Sequence, residues 1–424
     1  MRTRRAAAAA VAAVGMLLLT ACSNSASAGS AGTTTLTYMT FDTPDLTPSF
    51  WKSSIAAAQA TVPGISIKQV VAPSTDRDTY AKQLEASGQF PDLLESITPS
   101  QYTAAGLLQP YDQSWVDANF LLPQGNAIKG KVYIPPTNSQ IIPLVFYNKQ
   151  QFAKAGVRPP TTWAQFLQVC AKLKAAGETP IELGGSDPFA AAIPLTGAIS
   201  ANVLGKDPQW IAQRYAGTVK FADADVVSAA QEMRTLVTDD YFEQGALNVS
   251  YADSITQFNK GGAAMYPMGS WYLGSIPKSQ WSNIGVFPWP SDDGSVVIPF
   301  AVGGSMAINA HTPDLAAATA FAESWSLNPA NLKALIEGDG AFPMLKGKTL
   351  ADYGVTVSPT FTSSYSYVTQ TNNKVSSIGW ATNDDALPGN LNNDFYAAAQ
   401  ALFNTSDVQG QMAKLDQDWS SAAQ

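Results

Sequence analysis

The sequence predicts an α/β protein of two lobes, on three observations. From Thr35 onward, short apolar strands alternate with amphipathic helices, an order that builds a sheet covered by crossover helices. The chain has 424 residues, of which about 400 follow Cys22; that is too many for one hydrophobic core and enough for two of ordinary size. Hydrophobic residues make up 46% and charged residues 14%, so the chain can bury a core and is not a disordered one.

Thr35-Leu36-Thr37-Tyr38-Met39 reads as the first strand, residues 48–61 as a helix, and Ile65 to Val71 as a half-buried alternating strand. Asp78 to Ser87 is helical in pattern, and Pro91-Asp92-Leu93-Leu94 follows as a short strand. This β-α-β-α order predicts a mostly parallel sheet with right-handed crossovers, whose ligands sit beyond the carboxyl ends of the strands. That rule points to Phe41-Asp42-Thr43 and to Glu95-Ser96-Ile97. Residues 141–149 read as one long apolar strand. Trp163, Phe166, Cys170 and Leu173 recur at helical spacing, and Gly177 marks the helix end. Pro180-Ile181-Glu182-Leu183 reads as a strand, roughly 190–260 as helical, and 284–288 and 296–302 as strands. Thr312-Pro313-Asp314 starts a helix to Leu327, and Asn328-Pro329 another to Gly338, because proline suits the first helical turn.

Composition excludes several functions. Net charge is −8, and removing residues 1–21 takes away three arginines and no acid, leaving −11. Phosphate binding needs clustered Lys and Arg, so nucleic acid is not an expected partner. His311 is the sole histidine, which rules out a multi-histidine metal site, and its turn setting suits a surface residue. Neither a Walker-type loop nor a GxGxxG fingerprint occurs, so no cofactor or metal is expected. With Cys22 committed elsewhere, Cys170 has no partner for an intramolecular disulfide and reads as a small buried hydrophobe.

The N-terminus carries Arg2, Arg4 and Arg5, then an apolar stretch from Ala6 to Leu19 too short for a good membrane span. Its end, Leu19-Thr20-Ala21-Cys22, resembles the lipobox of bacterial lipoproteins. That resemblance implies a signal peptide over 1–21, lipidation of Cys22, and attachment to the extracellular face of the cell membrane. Residues 22–34, rich in Ser, Ala and Gly, would be the lipidated tether.

Islands further along are similar in order and spacing to the family-1 extracellular solute-binding proteins of bacterial ABC importers. They include Gly88-Gln89-Phe90-Pro91-Asp92, Ala105-Gly106-Leu107-Leu108, Tyr147-Asn148-Lys149, Ala155-Gly156 and Pro159-Pro160-Thr161-Thr162-Trp163. Phe258-Asn259-Lys260-Gly261-Gly262-Ala263-Ala264-Met265, Gly269-Ser270-Trp271 and Gly303-Gly304-Ser305-Met306 continue the series over nearly the whole mature chain. The resemblance implies a two-lobed periplasmic-binding-protein-like (Venus-flytrap) fold with a hinge and discontinuous lobes. It places residues 35–143 plus 303–342 in one lobe and 144–302 plus 343–424 in the other. It implies a monomer that binds a sugar or oligosaccharide, performs no chemistry, and delivers its ligand to permease subunits in the inner (cytoplasmic) membrane.

A sugar presents hydroxyls and flat C–H faces, so its cleft needs acids and amides beside exposed aromatic rings. Trp271 and Tyr272 follow a Gly-Ser turn; adjacent on a strand, both cannot point inward, and Trp271 reads as a stacking platform or as core. Gly304 and Ser305 let backbone approach a ligand or simply allow hinge motion. Asp187 and Phe189 follow a strand end; Asp187 is a hydroxyl acceptor or a turn former. Phe41, Asp42 and Asp92 are placed by the sheet rule, with Asp92 equally able to stabilise its own turn. Phe342 and Trp380 are further candidate rings. Two other classes stay open: a secreted glycoside hydrolase, for which Asp384-Asp385 offers carboxylates, and a surface carbohydrate receptor without transport.

Overall fold

The computed structural model describes residues 33–423 apart from Thr75 and Ser305. Cys22, the signal peptide and most of the tether therefore lie outside the described residues, as does Ser305. The protein is a two-lobed α/β structure whose described strands form three sheets. The first sheet has the order β2-β1-β3-β10-β4, from Ile65–Ala72, Thr34–Phe41, Leu93–Glu95, Met306–Asn309 and Leu108–Gln109. The second has the order β11-β5-β9-β12, from Phe342–Pro343, Asn138–Ile141, Ile298–Gly303 and Lys374–Ser376. The third has the order β7-β6-β8, from Met265–Met268, Leu144–Asn148 and Ile284–Pro288. The second sheet links the other two, because β5 runs into β6 and β9 runs into β10.

The expectation of a mostly parallel sheet needs correction. Parallel pairing holds for β1 with β2 and β3, but β10 runs antiparallel to both β3 and β4, and β6 is antiparallel to β7 and β8. A strand returning from late in the chain has no crossover helix to set its direction, so the local β-α-β rule does not reach it. The single strand expected over 141–149 is also two strands in different sheets. Pro143, after a cis peptide bond, offers no N–H to a ladder, and the chain changes sheet there. The strand expected over 180–183 shrinks to isolated bridges from Ile181 to Phe242 and Met265.

Helix starts follow local chemistry. Thr47, Thr162, Asp314 and Asn328 cap the helices Pro48–Gln59, Trp163–Ala175, Leu315–Leu327 and Pro329–Gly338 by accepting backbone N–H bonds. Under the first sheet, Trp51 and Trp325 stack with centroids 6.2 Å apart, and Tyr38 meets Trp325 edge-on at 5.4 Å. Cys170 is buried, and desolvation pushes its thiol pKa up, so it is an inert core group.

Candidate functional site

The carboxyl ends of β1 and β3 deliver Phe41 and Glu95, and the loop after β1 carries Asp45. Arg77, at the start of the helix Arg77–Ala86, places its guanidinium 4.1 Å from the Phe41 ring centre and donates from Nε to Ser96 O at 2.9 Å. Glu95 is buried, bonded by the Tyr38 hydroxyl and at 3.0 Å by Ser96 Oγ. Desolvation raises its pKa to about 7, against the pull of those bonds and of Arg77.

A chain of rings from the second and third sheets and their helices faces this corner. Tyr251 opens the helix Tyr251–Asn259 and meets Phe189 edge-on at 5.3 Å. Phe189 meets Trp380 at 5.9 Å, and Trp380 lies 5.0 Å from Trp271 and 5.9 Å from Tyr396. Phe189, Trp271, Trp380 and Tyr396 keep part of their surface accessible. Gly269 makes room for the Trp271 indole, since a Cβ there would sit 2.2 Å from its Cζ3. The Trp380 Nε1–H is shielded from solvent and has no acceptor among the described residues, a donor left for something else to fill.

Between the corner and the rings lie Asp45, Gln140 and Asp339. Asp45 accepts from the Tyr251 hydroxyl at 3.0 Å and from Ser275 Oγ. Burial raises the Asp45 pKa to about 6, against the pull of both bonds. Gln140 Nε2 donates to Asp339 Oδ2 at 3.0 Å. Desolvation first, then the charge of Asp45, holds the Asp339 carboxyl well above its ordinary range. Asp45, Arg77, Asp339 and Tyr396 are enclosed by protein yet still touch solvent, as groups lining a deep cleft do. Two other hollows do not include these rings. One, of about 250 Å³, lies beside β9 and β12, and one of about 700 Å³ lies along residues 237–248 and 403–404.

Several sequence-predicted site residues sit elsewhere. Tyr272 is fully buried; its ring packs on Phe146, Phe258 and Tyr266 and its hydroxyl donates to Asn259 Oδ1 at 2.6 Å, so it is core. Phe342 is also fully buried, packed 5.2 Å from Phe361 and 5.8 Å from Tyr365. Asp92 precedes β3, at the sheet end opposite Glu95, and its carboxylate takes bonds from Thr37 N, Thr37 Oγ1 and Thr312 Oγ1, so it ties β1 to the segment after β10 and does not serve its own turn. Gly304 lies against Ile134 and Pro135, where a Cβ would meet atoms at 2.1 Å, so its bareness serves a protein contact. Asp187 Oδ2 accepts from Tyr251 N at 2.7 Å and fixes the loop that presents Phe189. Phe41 is buried beneath Arg77, and Asp42 is exposed beside it. Asp45, Arg77, Gln140, Tyr251 and Tyr396 escaped sequence reasoning. They stand outside the family-like islands, and only the fold brings them together. Asp339 stands three residues before Phe342, where only the ring was singled out.

The sequence profile of the bacterial extracellular solute-binding protein family matches residues 43–333. The chain belongs to that family. The multiple sugar-binding protein of Streptococcus mutans is 26% identical over 278 residues, which are 61% of this chain and 63% of that protein, so the match spans less than two thirds of this relative. Among solved structures, a chitin oligosaccharide binding protein superposes with a TM-score of 0.80 at 22% identity, over 92% of this chain and 99% of the other. The solute-binding protein RafE, solved in complex with raffinose, has a TM-score of 0.73 at 20% identity, over 92% and 100%. At these identities the structures establish the two-lobed fold. Among the described residues of this family member, no helix is long and apolar enough to cross a membrane.

Proposed function

We propose that this family member captures a sugar or oligosaccharide between its lobes and presents it to the permease of an ABC importer. The observation that carries the reading is the run Phe189–Trp380–Trp271, partly exposed rings beside a shielded, unpartnered indole N–H and facing carboxylates. Rings suit the C–H faces of a pyranose, the N–H suits a hydroxyl oxygen, and carboxylates suit hydroxyl hydrogens. Asp187 and Asp42 belong to the rim of this site in our reading, and Ser305 is proposed as a ligand contact on its sequence alone. The lobes are taken as residues 35–143 plus 303–342 and 144–302 plus 343–424. The naming of a sugar-binding relative and of sugar-bound neighbours supports the ligand class.

The test is a thermal-shift screen over mono- and oligosaccharides, followed by calorimetry on the hits. Saturable binding with no change in the sugar is the expected result, and turnover of the sugar would overturn the reading. For the anchor, we propose lipidation at Cys22. A Cys22→Ala protein should leave the membrane fraction, whereas continued retention would remove the lipid from the account.

A further inference from the structure

Hydrogen bonds between the corner and the ring-bearing side close the cleft in more than one place. At one seam, Asp45 accepts from the Tyr251 hydroxyl at 3.0 Å and from Ser275 Oγ. At a second, Asn393 Nδ2 donates to Asp76 Oδ2 at 3.0 Å, next to Arg77. At a third, Lys129 N donates to Asp384 Oδ1 at 3.0 Å and Asn383 Nδ2 to Gly125 O at 3.4 Å, which ties down the loop that carries Trp380. The linking sheet stands behind, where Gln140 of β5 holds Asp339.

The rings match this enclosure. Phe189 meets Trp380 with the planes at 85°, and Trp271 and Tyr396 meet it at 43° and 41°. A long chain lying straight through the cleft would need platforms nearly in one plane. These rings instead form a cup around Trp380. Tyr251 belongs to the first seam, and Tyr396 lies about one helical turn past Asn393 of the second. Between them the path through ring centres runs by Phe189 and Trp380, in steps of 5.3, 5.9 and 5.9 Å. Each step is close to the length of one pyranose in a chain.

We propose that the ligand is a short saccharide of at most about three units, held whole, with both of its ends inside the closed cleft. This deepens the sugar-binding reading and rests on it. A saccharide of that size lies between the seams with the interlobe bonds kept. A longer one must carry a unit out between the lobes, so the bonds of one seam part and their buried donors and acceptors lose their partners. Apparent affinity then falls with the fraction of protein that can close. The pairs Asp45–Tyr251 and Asp76–Asn393 thereby measure the ligand's length, and Asp76 and Asn393 do so without needing to touch it.

The experiment is calorimetry on the purified protein with four series of graded length. Three are α-1,4-linked glucose, β-1,4-linked glucose and β-1,4-linked N-acetylglucosamine, each of one to six units. The fourth is sucrose extended by one, two or three α-galactose units. In any series that binds, affinity should peak at three units or fewer, and the five-unit member should bind about tenfold weaker or worse. In Asn393→Ala and in Tyr251→Phe the gap between three and five units should narrow several-fold, with melting temperatures checking the fold. Affinity that stays level or rises through five units overturns the proposal and leaves sugar binding standing. A gap that neither variant narrows overturns it too. Should no saccharide of any series bind, sugar binding itself falls, and this proposal with it.

Discussion

Trp271 and Tyr272 are neighbours in sequence and opposites in use. The turn after β7 starts the short helix Tyr272–Ser275, and Gly269 leaves a notch for the first ring while the second turns into the core. Removing the Trp271 ring with Ala should weaken sugar binding about tenfold, since a good ring contact is worth roughly 0.5–1.5 kcal/mol beyond area burial. Tyr272→Phe should leave affinity alone and cost about 1 kcal/mol of stability through the lost bond to Asn259. Calorimetry and urea unfolding on the two variants read both effects. The sequence could mark the pair but not separate them, because the choice depends on a glycine's empty space and on rings from distant segments. Phe189, in the short helix Pro188–Ala191, and Trp380, in a turn, each follow a turn-rich stretch, and their partial exposure accords with that setting. Asp45 and Arg77 had no such signal, being ordinary residues in a loop and at a helix start.

At the level of elements, local rules worked where local chemistry decides. Thr312-Pro313-Asp314 and Asn328-Pro329 marked the helix starts at 315 and 329, and the helices read from residue 48 and around Trp163 begin where expected. They failed where distant segments decide, as at Ile142-Pro143, where an unbroken apolar run conceals a change of sheet. The same dependence on distant partners governs the helix Tyr272–Ser275, which packs on Pro329–Gly338 through bare backbone. A Cβ at Gly274 would lie 1.8 Å from Gly338 O, so that oxygen or the helix must move. Gly274→Ala should therefore cost about 1–3 kcal/mol, as overpacking does, read from the midpoint of urea unfolding. A wild-type midpoint in this variant would show that the two helices separate freely.

Across the whole molecule, polar contacts join the two lobes beside the close packing of Tyr272–Ser275 on Pro329–Gly338. Tyr251 donates to Asp45 at 3.0 Å, and Asn393 Nδ2 donates to Asp76 Oδ2 at 3.0 Å. Tyr251→Phe removes one of these and should populate more open forms. Apparent affinity then falls several-fold in proportion to the lost closed fraction, and the ligand-free radius of gyration by X-ray scattering rises. An unchanged radius would sever this bond from closure. Stability should also depend on pH in an unusual direction. Desolvation raises the pKa of Glu243 to about 7, of Glu182 to about 8 and of Glu232 to about 9. The native state therefore holds protons that the unfolded chain has released. Their contribution is complete below the unfolded carboxylate range, near pH 4.5, and is lost as pH rises through about 7 to 9. The melting temperature should decline over that interval, and Glu232→Gln should flatten its upper part.

One strand has a consequence for how the chain comes into being. β10 lies between β3 and β4, so the first sheet stays incomplete until residue 309 has been made. The core that includes Ala229, Ala230 and Met233 likewise waits for Met412, Leu415 and Trp419 near the end. A growing polypeptide of this design cannot lock either half on the ribosome. It stays threadable, fit to pass through a narrow channel, until those residues have been made.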